Sequence, residues 1–282
     1  MKTDMTGKVA FITGAARGQG RSHAITLAEA GADIIAVDLN GPVEGVGYAA
    51  ATTEDLAETV RLVEALDRRI VAKQADVRDV EALRSVVDDG VAELGGLDVV
   101  VANAGIFNVV GKSWELSRDH WQTMLDVNLT GVWNTTTAAI PHLIERGPGG
   151  SIILISSTAG LRAIPNIAHY VAAKHGVVGL ARTLANELAA EHIRVNTIHP
   201  TNVRTTMIDN DVTPAVYRPD LVNPTFADAY DVLTKINMWD VPWVEPVDIS
   251  NAVLFLASEM SRYITGITLP VDLGMAQKYS GS

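Results

Sequence analysis

Tyr170 and Lys174 stand four residues apart in Tyr170-Val171-Ala172-Ala173-Lys174. On a helix that spacing puts the phenol and the amine on one face, one turn apart. A free tyrosine titrates at about pH 10, too high for a base near neutrality. A neighbouring ammonium stabilises the phenolate and lowers that value. Such a phenol can exchange a proton with an alcohol or carbonyl while a cofactor exchanges the hydride. A surface Tyr–Lys pair at helical spacing is also commonplace, so the pair needs company before it means chemistry.

Residues 13–20 supply some of it, as Thr13-Gly14-Ala15-Ala16-Arg17-Gly18-Gln19-Gly20 follows an apolar run and opens a helix-like segment. Gly14, Gly18 and Gly20 permit backbone angles and close approach that a Cβ forbids. The helix start offers free N–H groups and a positive dipole end to a pyrophosphate. Asp38 closes the second apolar run, 24 positions after Gly14. A carboxylate there accepts hydrogen bonds from both ribose hydroxyls and repels a 2′-phosphate, which favours NAD over NADP. Arg17 pulls the other way, since a guanidinium can pair with that phosphate; its plainer reading is a solvated loop charge. Asn103-Ala104-Gly105 and Ser156-Ser157 each follow an apolar run, at the edge where open α/β sheets place ligands. Asn128 stands inside a long helical pattern despite modest helix propensity. It reads either as a functional group or as a buried amide satisfied by backbone.

The elements that must position these residues alternate. Short β-branched runs predict strands at 9–13, 33–37, 70–74, 98–102, 151–155, 194–198 and 267–271. Several are apolar throughout, as strands covered on both faces should be. Helix-period segments lie between them at 20–31, 53–67, 80–94, 118–145, 168–192 and 246–258. Thr52-Thr53-Glu54-Asp55 resembles a capping box, and Asp79 suits an N-cap. This rhythm implies a single Rossmann-type, doubly wound α/β domain over 1–282, with a seven-stranded parallel sheet flanked by helices. Two segments break it: an insertion of small residues at 41–52, and an irregular stretch at 206–245. The second carries Pro214, Pro219, Pro224 and Pro242 with Met207, Tyr217, Phe226, Tyr230, Met238, Trp239 and Trp243, which favours a packed substrate lid. Trp239 and Trp243 are candidates to face substrate, and Trp114, Trp121 and Trp133 read as core or interface aromatics.

Composition narrows the function. A net charge of −11 over 282 residues argues against a nucleic-acid surface. The absence of cysteine removes disulfides and thiolate catalysis. The seven histidines show no metal-ligand spacing, so no metal is expected. His169 and His175 flank the Tyr–Lys pair without a clear part, with solvent exposure of His169 at least as plausible as a place in the pocket. The leading segment from Met1-Lys2 onward has no signal pattern and no run is long enough to span a membrane. A cytoplasmic protein without a membrane partner is expected.

In order and spacing, the glycine loop at 13–20, the Asn103–Gly105 motif and the YxxxK motif at 170–174 resemble the short-chain dehydrogenase/reductase family over nearly the whole chain. The resemblance implies that Tyr170 is the acid/base and that Lys174 lowers its pKa and binds the nicotinamide ribose. It implies that Ser157 hydrogen-bonds the substrate oxygen and that Asn128 holds a water in a proton relay. NAD contacts are implied for Gly14, Arg17, Gly18, Gln19, Gly20, Asp38, Leu39, Asp76, Val77, Asn103, Ala104, Gly105, Pro200, Val203 and Thr205, besides Tyr170 and Lys174. Thr201 stands where the family usually has glycine. The insertion after Asp38 and the string His199-Pro200-Thr201-Asn202-Val203 are similar to the mycofactocin-coupled, carveol dehydrogenase-like subgroup. That likeness implies a tightly held NAD recycled by an external redox partner; the Met- and Trp-rich lid suggests a small hydrophobic secondary alcohol, alicyclic or terpenoid, or its ketone as substrate, and the family resemblance implies a homotetramer. Two alternatives stay open: a ketoreductase of a biosynthetic pathway, for which an acidic chain is a poor acyl-carrier docking surface, and a non-catalytic NAD sensor, which would need neither Ser157 nor Tyr170.

Overall fold

The computed structural model describes residues 3–218 and 220–279; Met1, Lys2 and Pro219, used in the reading above, lie outside them. Seven strands form one parallel sheet: β1 (Val9–Thr13), β2 (Asp33–Asp38), β3 (Ile70–Gln74), β4 (Val99–Ala102), β5 (Ser151–Ile155), β6 (Arg194–Pro200) and β7 (Thr268–Val271). Their order is β3-β2-β1-β4-β5-β6-β7, so the chain runs outward from β1 to β3, then returns and runs the other way from β4. The helices are α1 (Gly18–Glu29), α2 (Thr53–Glu64), α3 (Val80–Leu94), α4 (Arg118–Leu125), α5 (Gly131–Arg146), α6 (Ala168–Glu187), α7 (Thr213–Tyr217), α8 (Phe226–Lys235) and α9 (Pro246–Ala257).

The alternation of side chains along each strand divides the core in two. Phe11, Ile35, Val37, Val100, Ile152 and Leu154 point to one face and pack with Leu83, Val132 and Val177 from α3, α5 and α6. Ala10, Ile12, Ile34, Val101 and Ile153 point to the other, against Leu27, Val63 and Val253 from α1, α2 and α9. Both faces are covered, which is why β1, β4 and β5 read as unbroken apolar runs.

The predicted elements are all present, with shifted ends. Gly31 at φ +106° and Asp67 at φ +56° take left-handed conformations beyond α1 and α2, which therefore stop before those residues. The Thr52–Asp55 capping box and the Asp79 N-cap both form. The expected helix at 118–145 is interrupted by a π-helical turn, Asp126–Thr130. The irregular stretch at 206–245 contains α7 and α8, which the proline spacing hid; the Thr225–Asp228 capping box ahead of Phe226 was the available signal. Trp114 is 78% exposed and Trp133 50%, so these are not core side chains of this chain. No helix among the described residues is long and apolar enough to cross a membrane.

Where the sheet changes direction, between β1 and β4, the buried Thr13 hydroxyl accepts from the N–H groups of Asn103 and Ala104, both at 3.1 Å. Thr13→Val keeps the shape and leaves two buried donors unpaired. A loss of about 2–3 kcal/mol in unfolding free energy is expected, read as a lower urea midpoint at unchanged slope. Thr13→Ser should recover most of it.

Candidate active site

The glycine loop is shaped by steric need. Gly14 at φ +68° and Gly18 at φ +55° hold left-handed angles, and a Cβ on Gly20 would stand 1.9 Å from the Gly14 carbonyl oxygen. Asn103 Nδ2 donates to the carbonyls of Thr13 at 2.9 Å and Gly14 at 3.3 Å, so this side chain clamps the loop to β4. Arg17 is the N-cap residue of α1 and makes no side-chain cap, leaving the first-turn N–H groups without a side-chain acceptor. Those groups face a cleft lined by Gly14, Arg17, Gly18, Gln19, Gly20, Asp38, Leu39, Asp76, Val77, Asn103, Ala104, Gly105 and Thr205. The cleft opens at the topological switch point, the usual ligand crevice of such sheets.

Asp38 closes β2 with its Oδ2 accepting from Ala16 N–H at 2.9 Å, which fixes the carboxylate against the glycine loop. Arg17 is not a free loop charge. Its Nη2 donates to the Ala49 carbonyl, within the insertion. Arg21 likewise spans from the Ala16 carbonyl to the Asp55 carbonyl and Thr59 hydroxyl. The Arg21 guanidinium is thereby turned away from the cleft, and that of Arg17 is drawn toward the insertion. Asp76 is held by Arg78 at 2.8–3.0 Å; although burial opposes it, that ion pair draws the carboxyl below its usual range. The sites for pyrophosphate and ribose thus fit a dinucleotide without a 2′-phosphate.

The insertion crosses the mouth of this cleft. Tyr48 reaches over it, its hydroxyl accepting from Phe107 N–H at 3.3 Å. Val43 and Val46 pack onto the core. Gly45 lies against His120 and Gly47 against Val212, so the segment touches both α4 and the chain ahead of α7. Nothing in the motifs announced Tyr48; an aromatic residue amid small ones was the signal.

The reactive groups gather at the ends of β4, β5 and β6. Tyr170 lies in a second, adjoining pocket with Ser157, whose hydroxyl favours the phenolate. The Phe107 ring meets the Tyr170 ring edge-on at 5.5 Å. Lys174 is 4% exposed and sits behind the pocket wall, donating to the Ile155 carbonyl at 2.9 Å with its ammonium 5.7 Å from the Tyr170 ring centre. Burial pushes Tyr170 up to about 12, which the Ser157 hydroxyl only partly offsets, and burial draws Lys174 down to about 8. The net direction for the phenol is therefore upward, because withdrawal from water outweighs the neighbouring groups.

Asn128 lies in the π-turn and is fully buried. Its Oδ1 accepts from Ile106 N–H and its Nδ2 donates to the Ile106 carbonyl, both at 2.8 Å. Both functional atoms of the amide are engaged with one residue, so the side chain fixes the loop after Gly105. Like Lys174 it lines neither pocket. His169 is fully buried, not solvent-exposed, with Nε2 2.7 Å from Asn108 Oδ1. His175 is exposed.

The second pocket is also lined by Phe107, Val110, Ile164, Pro165, Ile167, Pro200, Val203, Met207, Ile208, Val216, Ile236 and Met275, with Asn166, Asn202 and Tyr217 as polar members. Thr205, Gln19 and Met207 border both pockets. The Tyr217 hydroxyl donates to Asn202 Oδ1 at 3.0 Å, and Thr201, in the usual glycine position, donates to Asn237 Oδ1 at 3.0 Å. Trp243 does not face the pocket; it packs against Phe226 at 5.2 Å and Tyr230 at 5.7 Å, and Trp239 is 68% exposed.

Residues 14–276 match the family model described as "Enoyl-(Acyl carrier protein) reductase". The chain is 58% identical to a short-chain type dehydrogenase/reductase of Mycolicibacterium smegmatis, over 96% of this chain and 98% of that protein. It is 53% identical to (-)-trans-carveol dehydrogenase of Rhodococcus erythropolis, over 96% and 98% respectively. A crystal structure of carveol dehydrogenase from Mycobacterium avium in complex with NAD superposes with a TM-score of 0.96 at 56% identity, covering 97% of this chain and 99% of that one.

Asp38 should decide between the two nicotinamide cofactors. Asp38→Asn keeps an acceptor for Ala16 N–H and removes the negative charge. Weaker NAD binding, by about tenfold, and a smaller penalty for NADP are expected in fluorescence titrations. An unchanged NAD-to-NADP ratio would assign discrimination elsewhere.

Proposed function

Because the chain belongs to the short-chain dehydrogenase/reductase family, we propose that it is an NAD-dependent dehydrogenase of neutral, hydrophobic secondary alcohols, with an alicyclic or terpenoid alcohol as the best-fitting class. The observation that carries this is the lining of the second pocket, which brings apolar side chains around Ser157 and Tyr170 without one charged group among the described residues. A carboxylate or an acyl-carrier phosphate would find no cation there. A relative named for carveol, a cyclic terpenoid alcohol, supports the same class.

In the oxidative direction Tyr170, as phenolate, takes the carbinol proton. Ser157 Oγ already accepts from Ala159 N–H at 3.1 Å, so its own proton is available to the substrate oxygen. Lys174 donates one ammonium proton to Ile155, leaving others toward Gly105 and Tyr170. The glycine loop, Asp38 and Thr205 would hold NAD, which when bound would supply the hydride acceptor. The intact Ser157–Tyr170–Lys174 set has no use in a sensor, and the uncharged pocket disfavours an acyl-carrier ketoreductase.

The insertion is the retaining cover for NAD. Its support is the Arg17–Ala49 and Tyr48–Phe107 hydrogen bonds, which close over the cleft from both sides. A slowly released NAD requires an external acceptor to reoxidise it, as in the mycofactocin-coupled subgroup. The 206–245 segment covers the alcohol pocket through Met207, Ile208, Val216, Tyr217 and Ile236. Exposed Trp121, Trp133 and Ile144 on α4 and α5 suit an interface of a homotetramer.

Turnover, its pH dependence and cofactor retention test this. Tyr170→Phe should lower turnover of a cyclic secondary alcohol by about 10²–10⁴-fold while bound NAD is retained; unchanged turnover would favour a sensor. Oxidation needs the deprotonated phenol, whose pKa burial raises, so kcat/KM for oxidation should climb with pH from 6 to 9 by up to about tenfold per unit, whereas ketone reduction should not. Purified protein should also carry NAD that survives dialysis, and Tyr48→Ala should release it faster. Cofactor-free protein under mild conditions would refute the retaining role of the insertion.

A further inference from the structure

The main-chain ladder between β5 and β6 ends just short of the reactive serine. Its last rungs pair Ile155 with Ile198, and Ser156 N–H donates to the Ile198 carbonyl at 2.9 Å. The next residue in position to donate is Pro200, which has no N–H. Beyond that point Ser157 is extended, at φ −168° and ψ 165°, and opens a short 3-10 turn. A serine at the free end of a strand has nothing in the sheet to hold it.

His199 fills that gap. The ring is fully buried, with Nδ1 2.7 Å from the Ser157 carbonyl and Nε2 2.7 Å from Thr197 Oγ1. A carbonyl only accepts, so Nδ1 must carry the proton, and Nε2 is then the acceptor for the Thr197 hydroxyl. One tautomer satisfies both ends of the ring. The two other fully buried histidines differ, since His23 and His169 each keep one ring nitrogen without a partner. Burial also holds His199 down to about 4, so the ring stays neutral.

We infer that His199 is a positioning residue for the alcohol dehydrogenation: its Nδ1–H holds the Ser157 backbone so that Ser157 Oγ meets the substrate oxygen beside Tyr170. The Ser157 carbonyl accepts a second bond, from Gly160 N–H at 2.8 Å, and Ser157 Oγ accepts from Ala159 N–H. Three hydrogen bonds thus fix one residue, and the histidine alone reaches it from the neighbouring strand. Displacing a reacting partner by about 1 Å can lower a rate 10²-fold. This inference rests on the reading of Ser157 given under the proposed function.

The test uses the NAD-loaded enzyme with a cyclic secondary alcohol such as carveol. In His199→Asn the amide N–H can take the place of Nδ1–H; in His199→Gln the amide reaches toward Thr197 instead; His199→Leu keeps neither. His199→Asn should recover most of kcat, while His199→Gln and His199→Leu should lose about tenfold or more with bound NAD and Tm little changed. In a Ser157→Ala background the same Gln substitution should cost little further, because both changes remove one function. Equal losses for Asn and Gln, or a full further loss in the Ser157→Ala background, would overturn the positioning role while leaving the dehydrogenase reading intact. If Ser157→Ala alone left kcat unchanged, the role of Ser157 would fall, and that of His199 with it.

Discussion

A parallel sheet leaves its carboxyl edge with backbone groups that no further strand can pair, and this structure depends on how that edge is closed. Several of its main-chain groups are tied down by a side chain in place of a ladder rung. Thr13 takes the N–H groups of Asn103 and Ala104, Asn103 takes the carbonyls of Thr13 and Gly14, and Asn128 takes both main-chain groups of Ile106. Buried main-chain groups are costly when unpaired. These polar side chains thus build the rim of the cleft by pairing main-chain groups that the sheet leaves over.

Burial of titratable groups is the second theme. Lys174 and Tyr170 both leave water, and each is driven toward its neutral form, the amine downward and the phenol upward. The two shifts reverse the pair's ordinary order and widen the gap between them, so the amine becomes the easier group to deprotonate. A positive charge brought to the pocket by a bound ligand then has a large effect on the phenol, because little water remains to screen it.

Much of this was legible in the sequence. Alternation of apolar runs with helical periods gave the sheet and its flanking helices, and the glycine loop and Tyr170–Lys174 pair located the rim. What stayed hidden depends on distant contacts. The π-turn at Asp126–Thr130 has no local signature, since it follows from Asn128 reaching Ile106. Arg17 read as a solvated charge because its acceptor, Ala49, is 32 residues away. Trp243 read as a candidate substrate contact, yet its partners Phe226 and Tyr230 belong to the outer side of α8, a helix obscured by surrounding prolines. His169 carried no sign of burial, because its partner Asn108 comes from the loop after β4.

The contact of Gly47 with Val212 has an evolutionary consequence. It joins the segment over the dinucleotide cleft to the segment over the alcohol pocket. A Cβ at position 47 would meet the Val212 side chain at 3.4 Å, an ordinary van der Waals contact, so only a side chain longer than that of alanine would press on the chain ahead of α7. A change at position 212 is therefore felt by the segment over the dinucleotide cleft as well as by the chain ahead of α7, and the two positions are expected to vary together.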